Sequence, residues 1–120
     1  MIFKSFEINT TLTSLHLSDN KIGCKGTKLI FKVLKINSTL TSLNLSNNKI
    51  GEEGARVLSK IIKINSTLKS LNLSRNNIGN EGKEIYSSLV INSSLTSLDL
   101  SDNNMGNEEN LISKVLKNNS

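Results

Sequence analysis

Leu43 and Leu45 alternate with Ser42, Asn44 and Ser46, the period of two expected of a strand that buries one face. Leu40 leads that set and Ile50 follows it, and the same spacing returns in three other places. These are Leu12, Leu15, Leu17, Ile22, then Leu68, Leu71, Leu73, Ile78, then Leu95, Leu98, Leu100, Met105. Asn20, Asn48, Asn76 and Asn103 fill one slot in every copy, just where the chain must turn away from the strand. An asparagine side chain bonds nearby backbone in such a turn as few others do. Stacked copies therefore predict a ladder of these asparagines that satisfies turn amides between neighbours.

The period then changes. Val57, Leu58, Ile61 and Ile62 recur as Leu29, Ile30, Val33, Leu34, as Ile85, Tyr86, Leu89, Val90, and as Leu111, Ile112, Val115, Leu116. Spacings of one, three and four predict one apolar side of a helix of about three turns. Glu52 and Glu53 stand near its start and Lys60 and Lys63 near its end, as the helix macrodipole prefers. Gly51 and Gly54 are expected to open the turn before it.

Successive leading leucines, Leu12, Leu40, Leu68 and Leu95, lie 28, 28 and 27 residues apart. The chain reads as one domain over 1–120, with repeats at about 9–35, 36–63, 64–90 and 91–120. "IFKSFEIN" at 2–9 matches "IFKVLKIN" at 30–37, so 1–8 is expected to be part of the helix of a preceding copy. The fourth copy is the most altered: Met105 replaces isoleucine, one residue is lost before the helix, and the second glycine is gone. Ends without dedicated caps leave a sheet edge and an apolar flank open, a route to self-association or the mark of a longer array.

The pattern Leu-x-x-Leu-x-Leu-x-x-Asn-x-Leu resembles the leucine-rich repeat family throughout the chain. The repeat length and the helical "GEEGARVLSKII" are similar to its ribonuclease-inhibitor type in particular. The resemblance implies an α/β solenoid, a short horseshoe arc with a parallel sheet on the concave face and helices on the convex face. The widths agree: strands stack about 4.8 Å apart and packed helices need roughly 10 Å, so the stack must curve with its sheet inside.

It also implies a non-enzymatic scaffold that binds a protein partner on the concave face. The residues there are Ser14, Ser42, Ser70 and Ser97, then His16, Asn44, Asn72 and Asp99, then Asp19, Asn47, Arg75 and Asp102 on the exit turns. Binding hot spots favour Trp, Tyr and Arg, and these columns offer only Arg75, so modest affinity is expected. The alternative is a piece of a GTPase-activating protein of the Ran type, or of a receptor array, acting as regulator or spacer.

Composition narrows the chemistry. No apolar run approaches the roughly 18 residues of a membrane-spanning helix, and the start lacks the unbroken apolar stretch of a secretory signal. The single Cys24 can neither staple the fold nor alone make a zinc site, and no cofactor is implied. Asn-x-Ser/Thr occurs at Asn9, Asn37, Asn44, Asn65, Asn72, Asn92 and Asn118. Glycosylation would therefore threaten every repeat, and a cytoplasmic home is expected.

The net charge of +5 is concentrated early, with Lys25, Lys28, Lys32 and Lys35 along the first helix. Without interleaved aromatics to stack on bases, that helix reads as a solvated face and nucleic acid as an unlikely partner. His16 beside Ser14, Ser18 and Asp19 suggests a hydrolytic triad only on paper, because an open sheet face lacks the buried orienting geometry. Cys24 at a helix start beside Lys25 is in a setting that favours thiolate, yet nothing else in the chain supplies a resolving partner.

Overall fold

A computed structural model describes residues 11–105. Strands β1 (Ser14–His16), β2 (Ser42–Asn44), β3 (Ser70–Asn72) and β4 (Ser97–Asp99) alternate with helices α1 (Gly23–Ile36), α2 (Gly51–Ile64) and α3 (Gly82–Ile91). The strands form one sheet in chain order, every pair parallel. Ser14, Ser42, Ser70 and Ser97 are in register, as are Leu15, Leu43, Leu71 and Leu98, and His16, Asn44, Asn72 and Asp99. This is the α/β leucine-rich repeat solenoid, with its strands on one face and its helices on the other.

The alternation read from sequence places the core. Leu40, Leu43, Leu45, Ile50 and their copies Leu68, Leu71, Leu73, Ile78 are buried, and from the helices Leu58, Ile61, Ile62, Ile85 and Leu89 join them. Leu12, Leu15, Leu17 and Ile22 are only partly buried, since each layer depends on both neighbours for cover.

The exit turns are tighter than sequence suggests. In every repeat the residues on both sides of the ladder asparagine have left-handed backbone: Asp19 and Lys21, Asn47 and Lys49, Arg75 and Asn77, Asp102 and Asn104, with φ from 50° to 61°. That conformation costs an ordinary residue roughly 1 kcal/mol and favours Asn and Asp. What holds it is the ladder. Asn76 Oδ1 accepts the backbone N–H of Asn48 at 2.8 Å and of Ile50 at 3.4 Å, and its Nδ2 donates to the carbonyls of Leu45, Leu73 and Ser74. Asn48 and Asn103 repeat the arrangement one unit earlier and later. The helices have no side-chain N-caps; instead Gly23, Gly51 and Gly79 donate their N–H to the carbonyls of Asn48, Asn76 and Asn103, each at 2.8 Å.

A second recurring asparagine column was not anticipated. Asn37, Asn65 and Asn92 follow the last residues of the three helices and are buried. Their side-chain oxygens accept two backbone N–H groups of the segment leading to the next strand, at 2.8 to 3.0 Å. Asn92 Nδ2 also reaches back to the carbonyls of Ile62 and Asn65. Three of the residues read as possible glycosylation acceptors are thus internal hydrogen-bonding groups.

Several local expectations are corrected. Leu29 and Val90, assigned to the apolar side of their helices, are exposed at 38% and 61%. Small polar residues take inward positions instead: the hydroxyls of Thr27, Ser59 and Ser88 each bond a carbonyl four residues earlier, so they can be buried at little cost. The helices α1 and α2 have 14 residues, nearer four turns than three. The third copy is one residue short, and it enters its helix through a 3-10 turn, Gly79–Glu81, leaving 10 residues in α3. Gly51, at φ +75°, does open the turn, but Gly54 lies inside α2, where a Cβ would collide with the Ile50 side chain and meet Cys24 Cα at 3.6 Å. The partial helix at 1–8, the fourth helix, the residue lost before it and the uncapped ends lie outside the described residues.

Candidate binding face

The sheet brings two of the predicted columns together. Ser14, Ser42, Ser70 and Ser97 face the same way as His16, Asn44, Asn72 and Asp99, two residues on, because side chains alternate along a strand. Asn44 Oδ1 accepts the N–H of Ser46, Asn72 Oδ1 that of Ser74 and Asp99 Oδ1 that of Ser101, each at 3.0 Å. These side chains therefore shape the exit turn of their own strand while remaining on the sheet face. No buried side-chain oxygen or nitrogen lacks a partner among the described residues, so the remaining Nδ2 groups of Asn44 and Asn72 and the serine hydroxyls are open to water.

The exit-turn column is organised differently. Asn47 Nδ2 donates a short hydrogen bond to Asp19 Oδ1, and Arg75 Nε pairs with Asp102 Oδ2 at 3.5 Å. Four residues expected to meet a partner are thus engaged across neighbouring repeats, two by two. Arg75 and Asp102 remain 70% and 69% exposed, and an exposed pair of this kind contributes about 0–1 kcal/mol, so a competing partner can displace it. His16 is exposed and its ring bonds no described residue.

Elsewhere the chemistry is sparse. Among the described residues no cluster of three His, Cys, Asp or Glu is placed to hold a metal ion, and no helix is long and apolar enough to cross a membrane. Cys24 Sγ donates to Glu53 Oε2 of the next repeat at 3.9 Å. The first-helix lysines Lys25, Lys28, Lys32 and Lys35 are all exposed, and Lys35 Nζ sits over the Phe31 ring at 5.4 Å. On the helical side Arg56 bridges to Glu81 of the next repeat at 3.1 Å, and that hydrogen bond, with the charge of Glu81, raises the Arg56 pKa.

One feature of this surface escaped the sequence reading. Ile36, Ile64 and Ile91, the last residues of the three helices, are exposed together with Val90. The recurring "KIN", "KIN" and "VIN" carried the signal, but an isoleucine next to a periodic apolar face reads as one more core residue.

Residues 9–31, 37–59, 65–83 and 92–108 each match the Leucine Rich repeat family, and the chain belongs to that family. Among solved structures it is similar to Actin-Binding Site 2 of leiomodin-1, at 25% identity and a TM-score of 0.88, over 98% of this chain and 69% of that one. It is also similar in fold to the tropomodulin C-terminal domain of Caenorhabditis elegans, at 15% identity and a TM-score of 0.60, over 99% of this chain and 93% of that one. No curated protein gives a significant match to the sequence.

Proposed function

We propose that the chain is a non-enzymatic scaffold, of the ribonuclease-inhibitor type of repeat, whose concave sheet face binds a polar segment of a protein partner. The observation that carries this reading is the serine column. Ser14, Ser42, Ser70 and Ser97 stand in register on four parallel strands, and their hydroxyls bond no described residue. The asparagine ladder of the exit turns holds the strands, and Asn37, Asn65 and Asn92 fix the segments that lead into them, so a partner meets donors and acceptors that are already ordered and little entropy is lost on binding. Beside them the side-chain amides of Asn44 and Asn72 offer donors, and His16 and Asp99 give the two ends of the row different character. Small hydroxyls and amides bury little apolar area, which sets the affinity in the modest range typical of transient complexes.

Actin is the first partner to try, because the leiomodin-1 structure similar to this chain is named for an actin-binding site. Binding of purified actin is measured by co-sedimentation and by fluorescence anisotropy, with Ser42→Arg/Ser70→Arg as the variant that fills the face without touching the core. Binding weakened at least about tenfold by that pair, some 1.4 kcal/mol, supports both the partner and the surface. Binding that the pair leaves unchanged refutes the concave face; absence of binding refutes actin. The Ran-type regulator draws on repeat length and helix pattern alone, and a GTP-hydrolysis assay with candidate GTPases separates it from the scaffold.

A further inference from the structure

Among the described residues five large apolar side chains are exposed, and four of them lie together: Ile36 at 63%, Ile64 at 54%, Val90 at 61% and Ile91 at 62%. Ile36, Ile64 and Ile91 occupy one repeat position, the final residue of α1, α2 and α3. Neither packing nor local propensity explains them. They are outside the core, and isoleucine is a weaker helix former than the lysine or glutamate that an exposed helix end would otherwise carry. A recurring apolar row open to water marks an interaction surface.

We propose that this row docks an acidic amphipathic helix of a partner protein, on a surface separate from the concave face and independent of the reading above. The spacing selects a helix. Packed helices lie about 8–10 Å apart, so the isoleucines recur at about that interval, and seven residues of an α-helix rise about 10.5 Å. A docked helix with an apolar residue at every seventh position meets Ile36, Ile64 and Ile91 in turn. An extended strand repeats one face every 6.8 Å or so and falls out of step by the second contact. Between the first two isoleucines the surface dips into a groove of about 270 Å³, lined also by Asn37, Ser38, Asn65 and Ser66, with room for the side chains that flank an apolar anchor.

Charge selects the acidic partner and its direction. Lys35 and Lys63 immediately precede Ile36 and Ile64, and neither has a carboxylate within ion-pairing distance among the described residues, where the bridges are Arg56 with Glu81 and Arg75 with Asp102. At the third position Val90 replaces the lysine. The occupant is therefore acidic along the stretch over α1 and α2 and purely apolar over α3. A second copy docking through the same face would set lysine against lysine, and phosphates of a nucleic acid would leave the isoleucines uncovered.

The test uses the full chain and a synthetic peptide of about 21 residues, three heptads, with leucine at every seventh position and glutamates flanking the first two leucines. Fluorescence anisotropy should show saturable binding that falls at least about tenfold with Ile64→Glu and with Lys35→Glu/Lys63→Glu, and that weakens as salt shortens the screening length. Ile64→Leu should retain it, and Ser42→Arg/Ser70→Arg should leave it unchanged, which separates this surface from the concave one. A peptide with leucines eight apart should bind no better than background. Ile64 is more than half exposed, so circular dichroism should show every variant folded. The proposal is overturned by lack of saturable binding up to about 1 mM, by equal binding of Ile64→Glu, or by equal binding of the two peptides. Retention of phosphatidylserine vesicles with the same dependence on Ile64, in place of the peptide, would also overturn it and make the row a membrane contact.

Discussion

Replacing Asn76 by alanine should cost this protein far more than the same change at Asn20, although the two residues are copies of one position. Asn76 is completely buried. Its Nδ2 bonds to the carbonyls of Leu45 and Leu73 are partly redundant, because those oxygens also receive Asn48 Nδ2 at 3.0 Å and Asn103 Nδ2 at 2.9 Å. The backbone N–H of Asn48 is the group left stranded, and that of Ile50, already at 3.4 Å, is the lesser loss. One buried unsatisfied donor costs about 1–3 kcal/mol. With a weaker second donor and the space vacated by the amide, the total for Asn76→Ala is about 3–4 kcal/mol. Asn20 is exposed, its Nδ2 bonds, among the described residues, only Leu17 and Ser18 of its own turn, and Leu17 keeps a donor in Asn48 Nδ2. Water replaces what Asn20→Ala removes, so the loss there is below about 1 kcal/mol. Asn76→Asp, the same shape, should cost no less than alanine, since it turns a charged oxygen towards three carbonyls. Urea unfolding followed by circular dichroism measures all three against a total expected at about 5–15 kcal/mol. Equal losses at positions 76 and 20, with unchanged m-values, would refute the argument that the ladder holds the repeats together.

Substitutions at two further positions probe the turns and the helix contacts. Gly54→Ala should destabilise by roughly 1–3 kcal/mol, despite the better helix former, because the new Cβ overlaps the Ile50 side chain; a thermal melt at or above that of the parent would contradict the packing. Arg75→Asn should be neutral or stabilising within about 1 kcal/mol, relief of the left-handed backbone offsetting loss of an exposed ion pair. Arg75→Val should lose stability in the same denaturation experiment, since a β-branched residue fits φ 56° poorly.

The repeat, its strand phase and the Asn48-type ladder were legible because each rests on a pattern repeated several times in one chain, so chance matches average out. The helix interior was less so. Leu29 and Val90 fit a periodic apolar face in sequence but face solvent, because neighbouring helices cover a narrower stripe than the apolar run allows, while Thr27, Ser59 and Ser88 are buried through bonds to their own helix. Asn37, Asn65 and Asn92 repeat as faithfully as Asn48, yet their role depends on where α1, α2 and α3 stop, and helix ends are the least determined part of a periodic pattern. At the candidate site the strand columns were readable from alternation. The pairing of Asp19 with Asn47 and of Arg75 with Asp102 was not, since it depends on how far one turn is offset from the next.

At the exit turns the backbone N–H bonds between repeats have a direction, opposite to that at the strand starts, where Thr41 and Ser42 donate back to Thr13. Leu17, Asp19, Asn20 and Gly23 hand their N–H groups to acceptors on the following unit, and Leu45, Asn47, Asn48 and Gly51 do the same one unit on. Orphaned donors are tolerated less well than orphaned carbonyls, so the exit turn of a unit is finished only when its successor exists. On the ribosome, where the amino-terminal part emerges first, each unit must wait for about 28 more residues, some 1–6 s at ordinary elongation rates. During that interval its turn is exposed to whatever else in the cell accepts a hydrogen bond.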